Sequence, residues 1–155
     1  MRAVALSLAL SLALLPASPP GASGQELSLI GEWVIVEATP APWTEESRHP
    51  ALTAQGKRLI NVELTFKANE VVSKHRPFAC RRARYEPTEY PPDAMFQGNL
   101  PEPNPAAIAA RYGFPKGDIR GVDLRCTGGV FSYHFRDRNT ALTAFDNVIY
   151  TLKRR

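Results

Sequence analysis

Residues 118–153 read DIRGVDLRCTGGVFSYHFRDRNTALTAFDNVIYTLK, and the reading of this stretch decides the fold. Val122, Leu124 and Cys126 alternate with Asp123 and Arg125. Phe131, Tyr133 and Phe135 alternate with Ser132, His134 and Arg136, and Val148, Tyr150 and Leu152 share one parity. A period of two sends successive side chains to opposite faces of a strand. Thr127-Gly128-Gly129, Asp137-Arg138-Asn139 and Asp146-Asn147 interrupt the alternation with turn chemistry. Four strands therefore follow one another as a meander: Asp118 to Cys126, Val130 to Arg136, Ala141 to Phe145 and Val148 to Lys153. One face of the meander is apolar and the other polar.

Upstream, the same grammar continues in shorter pieces. Gly31 to Ala38 (GEWVIVEA) is rich in β-branched and aromatic residues and ends at Pro40 and Pro42, as a first strand would. Residues 44–56 are polar and contain His49-Pro50, which predicts a connection with at most a helical turn over Thr44 to Arg48. Leu59 to Phe66 and Glu70 to Lys74 flank a Lys67-Ala68-Asn69 turn, giving strands two and three. Cys80 to Glu86 alternates loosely, with Arg82 and Arg84 opposite Ala83 and Tyr85, and reads as strand four. Six prolines between residues 87 and 105 exclude long regular structure there, while Met95, Phe96 and Leu100 supply apolar anchors that predict a loop packed on the body. Asn104 as N-cap, Pro105 as first helical residue and Gly113 as terminator predict a two-turn helix over Asn104 to Tyr112. The prediction is an all-β, antiparallel, eight-stranded up-and-down barrel of lipocalin-like type with one short inserted helix. Closure is favoured over an open sandwich because it removes edge strands.

The first 24 residues stand apart from this pattern. Arg2, a nearly unbroken apolar run from Ala3 to Leu15 and a small-residue tail ending Ala22-Ser23-Gly24 have the form of a secretory signal peptide, cut before Gln25. Residues 25–155 then make a single domain, exported to a periplasmic or extracellular space. Without Arg2, 18 basic residues stand against 15 acidic ones, a net +3, too mild for a nucleic-acid binder. The leader's apolar run falls short of the length a membrane-spanning helix needs. Cys80 and Cys126 are the only cysteines, and an oxidising compartment predicts a bridge between them, stabilising by roughly 4 kcal/mol in the chain-entropy view. A metal site with His75 beside Cys80 is the alternative, but zinc-type ligand pairs are missing from the sequence.

Gly31-Glu32-Trp33 at the start of the first strand resembles the Gly-x-Trp signature of the calycins, the lipocalins, fatty-acid-binding proteins and avidins. The resemblance implies an eight-stranded barrel whose base is closed by a basic residue of the last strand lying across Trp33. Arg154 has the required parity, with Lys153 second. The helix between strands four and five departs from the lipocalin pattern. Size, leader, one disulfide and short strands are also similar to small periplasmic barrels that block host lysozyme.

Candidate chemistry is sparse. His49, His75 and His134 form no metal-type pair, and Ser28, Ser47, Ser73 and Ser132 sit in no nucleophile elbow. His134 has two readings. Either it lies on a wet outer strand face, or, if the barrel interior is polar, it faces inward with Ser132 and Arg136 to hold an anion or move a proton. The Arg81-Arg82-Ala83-Arg84 run, with Lys74, His75, Arg76 and Lys153 to Arg155, is either solvated surface or a cationic strip. Tyr90, Met95, Phe96 and Leu100 either fill space or form a lid. The resulting expectation is a binding module for a small apolar or amphipathic ligand, contacted by Trp33, Tyr85, Tyr133, His134, Phe135 and Tyr150, with no cofactor. The alternatives are a lysozyme-type inhibitor binding a protein through loop 87–105, and a small enzyme using His134.

Overall fold

The computed structural model describes residues 27–155, and the leader expected over residues 1–24 lies outside the described residues. Nine antiparallel strands form one sheet: β1 (Gly31–Pro40), β2 (Glu63–Phe66), β3 (Glu70–Ser73), β4 (Cys80–Arg81), β5 (Arg84–Tyr90), β6 (Ile119–Cys126), β7 (Gly129–Asp137), β8 (Thr140–Phe145) and β9 (Val148–Arg154). Their order across the sheet is β4-β3-β2-β1-β9-β8-β7-β6-β5. Every neighbour is a sequence neighbour except β1 and β9, which pair from Trp33↔Arg154 to Pro40↔Val148.

The all-β class is as the alternation predicts, but the sheet has nine strands rather than eight, and it curls without closing. The predicted fourth strand breaks at Arg82, whose φ of 56° lies in the left-handed region. The two halves go to opposite edges of the sheet: Cys80–Arg81 pairs with β3, and Arg84–Tyr90 pairs with β6. Between them runs an open seam, clamped by the Cys80–Cys126 disulfide, with Cα atoms 5.6 Å apart. The Ala83 amide donates to Asn69 O at 2.7 Å and the Tyr85 hydroxyl to Lys67 O at 2.7 Å, reinforcing that clamp.

Two further elements depart from expectation. Residues 44–56, predicted as a connection, contain a single 3-10 turn (Glu46–Arg48) and then the helix α1 (His49–Lys57). Pro50 sits in its first turn, where a missing N–H costs nothing, so the residue that reads as a breaker here starts a helix. Pro87, predicted to lie outside regular structure, is inside β5, which is tolerated because β5 is an edge. The predicted later helix forms as α2 (Pro105–Arg111), with Asn104 Oδ1 accepting from the Ala107 amide at 3.3 Å.

The curl brings distant strands face to face on its concave side. Phe66 of β2 meets Tyr133 of β7 edge-on at 5.4 Å, and Trp33 of β1 meets Phe135 of β7 at 6.3 Å. Phe78, Tyr150, Leu64, Leu124 and Leu152 complete this core. A second core lies on the convex side, where Met95, Phe96, Leu100, Ala109 and Phe114 pack over Ile119, Leu142 and Ile149. The loop between β5 and β6 is thus ordered against the sheet, and strands β6 to β9 are covered on both faces.

Candidate functional site

The expected ligand-binding aromatics fall mostly in the concave core. Trp33, Tyr133, Phe135 and Tyr150 are buried, and the ring contacts among them and Phe66 and Phe78 fill the space between the opposed strands. Burial pushes the Tyr150 hydroxyl up to about 12. Tyr85 borders a small cleft of about 230 Å³ with Leu27, Leu29, Pro87 and Val122 beside the seam. The concave side therefore holds packed aromatic side chains where the sequence analysis expected a binding cavity.

The base of the curl is tied by the residues of the Gly-x-Trp pattern. The Arg154 guanidinium lies 4.4 Å over the Trp33 ring. It also donates to Ile30 O at 2.7 Å and to Ser28 O, while Trp33 Nε1 donates to Leu29 O at 2.7 Å. Gly31, at φ 127°, has a backbone conformation that L side chains rarely adopt, and a Cβ there would stand 2.7 Å from Arg154 Nη1, pushing the guanidinium from its place. Lys153 and Arg155 are also engaged, with Thr140 Oγ1 and with Glu63 respectively, and do not add to a free cationic strip. Arg81, Arg82 and Arg84 are exposed along the seam.

His134 is on the face opposite the aromatic pair, as parity requires, but that face is not wet. Its exposure is 0%, because the β5–β6 loop closes over it. Tyr90, Phe96 and Phe114 surround the imidazole at ring-centre distances of 4.5, 4.7 and 6.5 Å. Nε2 accepts from the Phe96 amide at 3.0 Å, so the neutral ring carries its proton on Nδ1. Burial pulls the imidazole down to about 4, against an opposing pull from Asp123. Asp123 Oδ1 in turn accepts from the Tyr90 hydroxyl and from Ser132 Oγ, both at 2.6 Å. Gly121 makes this possible, because a Cβ there would lie 2.7 Å from the Tyr90 ring. Of the two readings of His134, its position is that of the outward-facing one, but on a face that is covered rather than wet, with Ser132 and Arg136 half-buried on either side of it. At neutral pH His134 is an uncharged acceptor that fixes the backbone of the loop.

That fixed backbone shapes a cleft of about 360 Å³, within the range of small-molecule sites. Phe96 and Gln97, at φ 49° and 63°, form one wall, and the β8–β9 turn Asp146-Asn147, at φ 49° and 60°, forms the other. Two successive left-handed residues are what a tight two-residue hairpin demands, and Asp-Asn is suited to it. Trp43 closes the third side. Its indole Nε1 donates to Asn147 Oδ1 at 3.2 Å, and the backbone behind it is tied by the Ala41 amide to Asn147 O at 2.9 Å. Asn99, Ser132, Ala144 and Phe145 complete the lining. Of these residues, sequence reasoning singled out Phe96 as a lid or filler and Ser132 as His134's neighbour, and missed Trp43, Gln97, Asn99 and Asn147 as site residues. Trp43's place in Pro42-Trp43-Thr44, a large aromatic just outside a strand, was the available signal.

These features define a class: a curled antiparallel β-sheet with a dry aromatic concave side and a loop-built cleft on its convex side. Comparison with protein-family models, with curated proteins and with solved structures finds no match to the chain. Among the described residues no helix is long and apolar enough to cross a membrane, and no group of three or more His, Cys, Asp or Glu lies close enough to hold a metal ion.

Proposed function

We propose that the protein is an exported, calycin-like binding module for a small amphipathic ligand, seated in the outer cleft rather than inside the curl. The observation that carries this reading is the contrast between the two sides. The concave side is filled by Trp33, Phe66, Tyr133 and Tyr150, whereas the outer cleft sets the half-buried Trp43 ring, backed by the buried Phe96, beside amide and hydroxyl groups in a volume of about 360 Å³. A few convergent polar groups beside an aromatic surface are the usual composition of a small-molecule site. The leader-like residues 1–24 and the disulfide support export to the periplasm or the extracellular space.

Native mass spectrometry of protein taken from its export compartment tests the reading. A co-purifying small mass that is lost in Trp43→Ala is the expected result. A clean protein mass, unchanged in the presence of a compartment extract, would overturn it and turn attention to a protein partner reached through loop 87–105.

A further inference from the structure

Building on the reading that the outer cleft takes a small ligand, we infer that this ligand is an uncharged, hydroxyl-rich ring compound, a saccharide. Three properties of the lining point to that chemistry.

The first is charge. No Lys, Arg or His lines the cleft, and its one ionisable group is Asp146, whose Oδ2 already accepts from Gln55 Nε2 at 2.6 Å. An anionic head group, carboxylate or phosphate, would meet a carboxylate and no cation there, and desolvating an unpaired anion is unfavourable.

The second is the disposition of the aromatic rings. Trp43 and Phe96 touch each other, with centres 6.0 Å apart and planes tilted by 44°. Rings in mutual contact leave no gap between two faces for an ammonium group, as an aromatic cage would. Phe96 is buried, so the half-buried Trp43 ring is the one left to turn an apolar face to a ligand, and a single flat aromatic face matches the C–H face of a pyranose. An acyl chain, by contrast, would lie against Gln97, Asn99, Ser132 and Asn147 and leave their polar groups unsatisfied.

The third is a fixed complement of donors and acceptors. Asn147 uses Oδ1 on the Trp43 indole, which leaves its Nδ2 as a donor. Asn99 uses Nδ2 on Phe96 O at 2.6 Å, which leaves Oδ1 as an acceptor. Ser132 gives its proton to Asp123, so towards the cleft its oxygen can only accept. A hydroxyl both donates and accepts, and a ring carrying several can satisfy all three groups at once. Because each side chain is already held by a partner, little rotamer freedom is lost on binding.

The test is a titration of the full mature protein, followed by amide and indole N–H NMR. The probes are neutral mono- and trisaccharides of glucose, galactose, mannose and N-acetylglucosamine, with laurate and dodecyltrimethylammonium alongside. At least one saccharide should shift the signals of Phe96, Gln97, Asn147 and the Trp43 indole saturably at millimolar concentration. Asn147→Gly, which keeps the left-handed turn, and Asn99→Ala should each weaken that binding by about tenfold, as loss of a hydrogen bond in a polar site does, with circular dichroism unchanged. If laurate or the ammonium probe shifts those signals and no saccharide does, the saccharide assignment is overturned while the cleft reading stands. If no probe shifts them, both fall.

Discussion

The two faces of strands β6 to β9 are buried by different means. The concave face is closed by the sheet itself: β2 and β7, far apart in the sheet's order, meet through Phe66 and Tyr133 as the strands curl. The convex face is closed by a cover, the segment from Tyr90 to Phe114, which is proline-rich and whose 3-10 stretch Pro92–Gly98 is broken by non-helical residues at Met95, Phe96 and Gln97. A core made by curling can be apolar throughout, because every backbone polar group in it is satisfied by the sheet ladder. A core made by an irregular cover brings loop amides with it, and one of them, at Phe96, is satisfied by His134. The polar residue in the middle of the convex face is thus explained by what lies over it.

This contrast makes the concave face the bearer of stability and the convex face the bearer of pH sensitivity. The sharpest way to break it is Trp33→Ala, which removes a fully buried ring and is expected to cost about 3–5 kcal/mol in denaturant unfolding. A loss under about 1 kcal/mol, at the level of an ordinary surface change, would erase the distinction. Next in size is the acid response of His134. Its folded value near 4 lies below the unfolded 6.5, so the unfolded chain binds the proton first. The contribution of the neutral ring is complete above pH 6.5 and is lost as the pH falls towards 4, by about 3 kcal/mol in all. His134→Gln, which retains a hydrogen-bond acceptor without a titrating group, should flatten that part of the melting-temperature profile. An unchanged slope would place the acid sensitivity elsewhere. The smallest effect belongs to Arg154→Leu, which removes the stacking on Trp33, worth roughly 0.5–2 kcal/mol. Faster hydrogen exchange at Ile30 and Leu29 should accompany it, since Arg154 and Trp33 hold that segment.

What the sequence makes legible follows the same division. Strands β6 to β9 and their turns can be read from local alternation, because a curled sheet imposes its period on every residue of a strand. The Trp33 and Arg154 positions and the two cysteines are legible as well, one pair through a short pattern and the other through redox context. The break at Arg82 is not legible, because nothing in CRRARYE marks a left-handed residue in mid-strand, and this hides the ninth strand and the seam. The α1 helix is obscured because His49-Pro50 serves equally as a loop signal and as a helix start. The dryness of His134 is invisible locally, since alternation says which face a residue is on and nothing of what covers that face. The cleft is harder still: Trp43, residues 96–99, Ser132 and residues 144–147 come from four separate stretches that only the tertiary structure brings together.

The pairing of β1 with β9 places the first and last strands side by side in the middle of the sheet, while both of its edges fall within one short stretch around Arg82. A circular permutant that joined the ends through a short linker and opened the chain between Arg82 and Ala83 would have the strand order of a plain meander, with every ladder made between sequence neighbours. In the native connectivity one ladder, Trp33↔Arg154 through Pro40↔Val148, spans nearly the whole described chain, and closing it is the step with the largest loop entropy. The seam is thus the point where the chain could begin and end with its pairing pattern preserved, and the disulfide across it ties the edge strand β4 to the end of β6, next to the edge strand β5.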